Sequence, residues 1–332
     1  MLGLVSVWKM RMSLWAGVAV ASIILGLGGV DAELSVDYYG LTCPQVENIV
    51  RGEISRKQAA NPATAAGLLR IFFHDCFVDG CDASVLITST AQHKAERDAD
   101  INLSLSGDGF DAVTRAKTAV EAKCPGIVSC ADIMAIATRD LLTLVGGPYY
   151  DVKKGRKDSL VSDAWRVDGN IPLTTMSVDE LNTLFATRGF NQTEMTALSG
   201  AHSVGFSHCK EFMARIYNDN PTEQTIDSEY AQGLQKVCPK QNTDPNMAAF
   251  NDVLSPNKFD NVFYQSLSKQ LGLLASDQIL YTDPRTRGVV NYYASSEGAF
   301  FDAFAAAMDK LGSLNVKTGF EGEIRRRCEA FN

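Results

Sequence analysis

Eight cysteines in a chain that opens on an apolar leader constrain this protein more than any other feature of its sequence. What cross-links they can form depends on the compartment, so the leader is read first. Lys9 and Arg11 precede an uncharged, apolar or small stretch over residues 14–30, and Val30-Asp31-Ala32 has the small-x-small pattern of a signal-peptidase site. About 17 apolar residues would barely cross a bilayer, and Gly17, Gly26, Gly28 and Gly29 weaken the stretch as a permanent helix. Residues 1–32 are therefore read as a signal peptide and 33–332 as a secreted chain with no membrane anchor. An oxidising compartment lets all eight cysteines pair. Eight cysteines allow 105 connectivities, so counting cannot choose among them. The chain has no C-x-x-C, which argues against a thiolate metal site.

No repeat, low-complexity tract or Pro/Gly/Ser linker divides the 332 residues, so residues 33–332 are read as a single domain large enough to bury a sizeable core. The formal charge is −8, from 31 basic and 39 acidic residues, and cleavage after Ala32 removes Lys9, Arg11 and Asp31 and leaves −9. That balance, with no basic run longer than Arg325-Arg326-Arg327, excludes a nucleic-acid footprint. The periodicity is helical. Ser177 and Glu180 form a capping box before Leu181, Leu184 and Phe185, and Gly189 is a stop. A second helix starts at 191–194 and leads through Met195 and Leu198 to Ser199-Gly200-Ala201-His202. Residues 132–145 and 300–311 repeat the helical pattern, while strand-like alternation is confined to 84–87 and 152–154. The fold class is mainly α.

Residues 68–76 (LLRIFFHDC) read as the end of an apolar helix, with Arg70 and His74 four apart on one face. A cation and an imidazole among Leu and Phe are costly to bury unless they are paired or at work. Directly after them come Asp75, Asp79, Gly80, Asp82 and Ser84. Oxygen donors at this density suit Ca²⁺, although the spacing is not that of an EF-hand and a solvated acidic turn is the plainer reading. Cys76 and Cys81 bracket the loop.

The run from Arg70 through Phe73-His74-Asp75-Cys76-Phe77-Val78 to Gly80-Cys81-Asp82-Ala83-Ser84-Val85-Leu86 resembles the distal haem motif of the secretory plant (class III) haem peroxidases. YYGLTCP at 38–44 resembles that family's mature N-terminus, and Leu198-Ser199-Gly200-Ala201-His202-Ser203-Val204-Gly205 its proximal haem-ligand motif. Phe259-Asp260-Asn261 and Ser276-Asp277-Gln278 follow in the family's order. The resemblance implies a two-lobed, mainly α fold with one haem b between distal and proximal lobes and minor short β elements.

The resemblance also implies roles. His202 matches the iron ligand and Asp277 the carboxylate that accepts its other ring N–H, although Asp277 read alone would be a helix N-cap. His74 matches the distal acid–base group, Arg70 the cation that stabilises charge as the O–O bond breaks, and Asn102 the acceptor that keeps His74 basic. Phe73 matches an aromatic that shields the reaction centre, and Pro172 the carbonyl-bearing proline where phenols dock. Two Ca²⁺ ions are implied. Asp75, Val78, Gly80, Asp82 and Ser84 match the distal set, with Glu96 reaching it through water, and Ser203, Asp252, Ser255, Lys258 and Asp260 match the proximal set. Ser203 and Ser255 stand where threonine is usual, and Lys258 is expected to offer its carbonyl with its ammonium turned outward.

By the same analogy the disulfides are Cys43–Cys124, Cys76–Cys81, Cys130–Cys328 and Cys209–Cys238. The loop closed by Cys130–Cys328 is worth about 4–5 kcal/mol on the chain-entropy account. Glu211 departs from relatives that carry a basic or aromatic residue near the haem edge. The function implied is H₂O₂-dependent one-electron oxidation of phenols by a secreted, monomeric glycoprotein. The apoplast is favoured over the vacuole because nothing follows Phe331-Asn332. An ascorbate-type peroxidase and a Ca²⁺-stabilised wall protein without haem activity are the alternatives. Asn102-Leu103-Ser104 is also a glycosylation sequon, expected to be empty, whereas Asn191-Gln192-Thr193 is the expected acceptor.

Overall fold

Local helix signals become helices in a computed structural model that describes residues 33–219, 226–241 and 243–332. The leader lies outside the described residues. In chain order the α-helices are α1 (Val46–Ala60), α2 (Thr64–Val78), α3 (Gly107–Glu121), α4 (Cys130–Leu144), α5 (Val178–Ala186), α6 (Gln192–Ser199), α7 (Met213–Ile216), α8 (Ser228–Val237), α9 (Val262–Ser268), α10 (Ala275–Thr282), α11 (Pro284–Ser295) and α12 (Glu297–Gly312). The capping boxes at Ser177/Glu180 and Asn191/Glu194 both form and open α5 and α6. Ser129 caps α4 by accepting from Asp132 N at 3.1 Å. α2 runs to Val78, two residues past Cys76, so the acidic loop hangs directly from its C-terminus.

The helices pack in two groups. α1, α2 and α3 surround α4, which is buried from Cys130 to Leu142. Ile133, Met134, Ile136, Leu141 and Leu142 on α4 are each worth about 1.5–3 kcal/mol relative to exposure. The second group joins α6, α9, α10, α11 and α12 around Phe259, Tyr264, Tyr293, Phe300 and Phe304. α12 touches α2, and one continuous apolar core runs through both groups. A smaller cluster of Phe212, Ile216, Leu234 and Leu273 is clasped by Cys209–Cys238. All four disulfides pair as the resemblance implied, and Cys130–Cys328 spans 198 positions.

The mainly α expectation holds, but neither strand expectation does. Residues 84–86 form a 3₁₀ turn, Ser84–Leu86, because the Asp75 and Asp82 carboxylates accept from the N–H groups of Ala83, Val85 and Ser84 and wind the backbone around themselves. All of 84–87 is buried, so the alternation there marks no two-sided surface. Residues 152–154 contribute only one isolated bridge, between Ser35 and Lys154. Among the described residues the only strand pair is antiparallel, β1 (Phe206–His208) with β2 (Ala248–Phe250), in the register Phe206↔Phe250.

Candidate active site

α2 carries Arg70, Phe73 and His74 on adjoining turns, as the i, i+4 spacing requires. His74 is only 4% exposed. Its Nδ1 lies 2.7 Å from Asn102 Oδ1, and Asn102 Nδ2 donates to the Glu96 carbonyl at 2.8 Å. That second bond fixes the amide with its oxygen toward the ring. Nδ1 therefore carries the proton, and Nε2 holds a free lone pair. Arg70 Nε donates to this Nε2 at 3.3 Å. Burial, reinforced by the Arg70 charge and opposed by Asn102, pushes the His74 pKa down to about 3, so the imidazole is a neutral base.

Arg70 is itself held by Ser104, whose carbonyl and hydroxyl accept at 3.1 and 2.9 Å. Ser104 was not singled out as a site residue in the sequence. Its only signal there is its place in the Asn102 sequon. Phe73 stacks on Phe77 at 4.4 Å and presents an edge contact to His74.

The Asn102 geometry also bears on glycosylation. Asn102 is 2% exposed and its Nδ2, the atom a glycan would take, is committed to Glu96. Asn191 is exposed, and its cap uses Oδ1 alone. Peptide mapping of protein from a plant secretory host is expected to find a glycan on Asn191 and none on Asn102. A glycosylated Asn102 in active enzyme would overturn the distal assignment.

On the opposite side, His202 lies in the 3₁₀ turn Gly200–Ser203 directly after α6. Its Nδ1 pairs with Asp277 Oδ1 at 2.9 Å. Asp277 is buried in the first turn of α10, but Leu274 occupies the N-cap, so the capping alternative fails. Burial alone would lower the His202 pKa, yet Asp277's charge and hydrogen bond raise it. The His202 side chain is 39% accessible, so the ring remains open to a ligand. The Arg70 charge opposes the rise in the His202 pKa slightly, so the two groups lie within electrostatic reach of each other. An imidazole oriented through Nδ1, as His202 is by Asp277, fits what a haem iron takes as a ligand. Pro172 lies two residues before Thr174, whose carbonyl accepts from Ser276 N at 2.9 Å, beside Asp277.

Both oxygen-rich sets assemble. In the distal one, Asp75, Asp82, Ser84 and Glu96 are buried, Ser84 Oγ donates to Glu96 Oε2 at 2.9 Å, and Lys317 pairs with Asp82. Burial and neighbouring carboxylates push Asp75 up to about 8 and Glu96 up to about 9, the strain of like charges that a cation would relieve. Val78 ends α2, and Gly80 has φ +116° with Asn315 O only 2.4 Å from where a Cβ would stand. Asp79 turns away to pair with Arg166.

In the proximal set, Ser203 Oγ donates to Lys258 O and accepts from Asp260 N, both at 3.0 Å. Ser255 Oγ reaches Asp252 Oδ2 at 3.1 Å and Asp260 Oδ1 at 3.0 Å. The Lys258 carbonyl faces this set as expected, but its ammonium does not simply turn outward. It folds back to Asp260 Oδ2 at 3.3 Å, drawn by a buried carboxylate, although the side chain stays 63% exposed. Among the described residues no three His, Cys, Asp or Glu side chains form a metal site unaided. Each set depends on hydroxyl and backbone oxygens, the donors that suit a hard cation.

Residues 50–296 match the family profile described as Peroxidase. Peroxidase 65 of Arabidopsis thaliana is 54% identical over 301 residues, covering 91% of this chain and 90% of its own. Peroxidase 6 of the same plant is 53% identical over 305 residues, 91% of this chain and 94% of its own. The chain belongs to the peroxidase family, and its resemblance to the secretory plant (class III) members is borne out. It is a peroxidase of a family that uses haem and calcium and acts on H₂O₂ and phenols, and neither alternative reading is favoured.

Proposed function

We propose that residues 33–332 form one secreted, monomeric domain that acts in the apoplast and oxidises phenols singly at the expense of H₂O₂. It would hold one haem b through His202 Nε2 and two Ca²⁺ ions in the Asp75 and Asp260 sets. The observation that supports this reading is a pair of imidazoles with opposite partners: His74 against the Asn102 amide oxygen, and His202 against the Asp277 carboxylate. Bound haem supplies the redox centre that takes two oxidising equivalents from peroxide and passes them on one at a time. His74 Nε2 takes a proton from one peroxide oxygen and returns it to the departing one, which leaves as water. Arg70, held in place by Ser104, offsets the charge that develops as the O–O bond breaks. Asn102 keeps the proton of His74 on Nδ1, so Nε2 is always the working nitrogen. Asp277 holds the His202 ring in one orientation and strengthens it as a donor. The Pro172 segment offers the rim where a phenol waits. Overall, one H₂O₂ and two phenols give two waters and two phenoxyl radicals.

Purified protein supplied with haem is expected to show a Soret band and to oxidise guaiacol and coniferyl alcohol far faster than ascorbate. No Soret band, or ascorbate as the preferred donor, would overturn the proposal.

A further inference from the structure

We propose that Glu211 makes the mouth of this cleft select donors by charge, favouring neutral or cationic phenols over those whose side chain is a carboxylate. The proposal rests on the reading of the same site as a phenol-oxidising centre. Glu211 ends the short 3₁₀ turn Cys209–Glu211, nine residues after His202. The turn is fixed by the Cys209–Cys238 disulfide and by Cys209 N donating to Met247 O at 2.9 Å. Thr174 Oγ1 donates to Glu211 Oε2 at 3.3 Å. Thr174 follows Pro172 by two residues, and its carbonyl accepts from Ser276 beside Asp277. The carboxylate is thus pinned to the segment that links the docking proline to the proximal pair.

Its charge also reaches the distal side, where it opposes the fall that burial causes in the Arg70 pKa. Lys210 Nζ stands 3.6 Å from Glu211 Oε1, but the lysine side chain is 69% exposed against 33% for the glutamate. Water therefore screens the cation more than the anion, and at 3.6 Å the lysine only partly offsets the glutamate charge.

A phenol must bring its hydroxyl to the hydrogen-bonding groups of Arg70 and His74. Its para side chain is then left at the mouth, near Glu211. A carboxylate there meets a like charge in a partly desolvated setting, enough for about a three- to tenfold loss of affinity.

Coniferyl alcohol and ferulate share one ring and differ in a neutral or anionic side chain, so they isolate the effect. Holoenzyme, Glu211→Gln and Glu211→Lys are compared at neutral pH and at low and high ionic strength. Glutamine removes the charge and keeps an acceptor for Thr174. The readouts are dissociation constants from spectral titration without peroxide, and kcat/KM with it. The ratio of ferulate to coniferyl alcohol affinity is expected to rise about three- to tenfold in Glu211→Gln and further in Glu211→Lys, with salt narrowing the differences. An unchanged ratio in both variants, with native Soret bands, overturns the role of Glu211 alone. Failure of the wild-type holoenzyme to oxidise either donor overturns the site reading beneath it.

Discussion

His74→Ala is expected to keep haem binding and to slow the reaction with H₂O₂ by about 10²–10⁴-fold, the contribution of one well-placed acid–base group. The proposed iron ligand does not depend on His74: His202 is oriented by Asp277 on α10. The distal side loses its only free imidazole lone pair. Arg70 remains anchored on Ser104 and can still offset charge, but a guanidinium has no lone pair with which to accept a proton. Stopped-flow mixing with peroxide measures the bimolecular rate directly, and the resting Soret band and thermal midpoint show whether the fold survives the small cavity left behind. A normal Soret band with an unchanged rate would sink the assignment of His74 as the base.

Much of the architecture was legible because its signals are local. The boxes at Ser177/Glu180 and Asn191/Glu194 are settled within four residues, and each opened a helix where the sequence put it. The two histidines were legible through motifs whose order the chain preserves, and the bare spacing of Arg70 and His74 already placed them on one helix face. What the sequence hid is non-local. β1 and β2 pair Phe206 with Phe250 across more than forty residues, and neither segment is long enough to show a period. Residues 84–87 alternate like a strand, yet buried carboxylates from Asp75 and Asp82 take their N–H groups and wind them into a turn. The same effect governs Lys258: composition says an exposed lysine turns to water, but a buried Asp260 within reach outweighs that preference. The grip of Ser104 on Arg70 spans 34 positions, and no pattern announced it.

Calcium removal is expected to be felt at the haem before the fold unravels. His74 and Asp75 are consecutive, and so are His202 and Ser203, so each site histidine is one peptide bond from a proposed calcium ligand. In the distal set Asp75, Asp82 and Glu96 are buried together, and among the described residues the one ammonium drawn to them is that of Lys317, on Asp82. Without the ion, burial and the neighbouring carboxylates raise the pKa values of Asp75 and Glu96, so they take up protons instead of acting as charged ligands, and the turn that they wind loses its centre. That turn follows directly from the C-terminus of α2, the helix that carries Arg70 and His74. Loosening it moves the base relative to Asn102, whose amide is braced on Glu96, a member of the same set. On the proximal side the Ser203 hydroxyl joins Lys258 O to Asp260 N, so loss of the ion frees the turn that presents His202. Chelation is therefore expected to shift the haem spectrum, cut peroxidase activity severalfold and lower the thermal midpoint, and added Ca²⁺ to restore all three. Mg²⁺ should restore little, because a small octahedral ion cannot satisfy sets built from many protein oxygens. The proximal ion should leave first, since the Lys258 ammonium already competes for Asp260. Full activity after exhaustive chelation, with no calcium found by elemental analysis, would show that the acidic loop after His74 is no more than a buried turn.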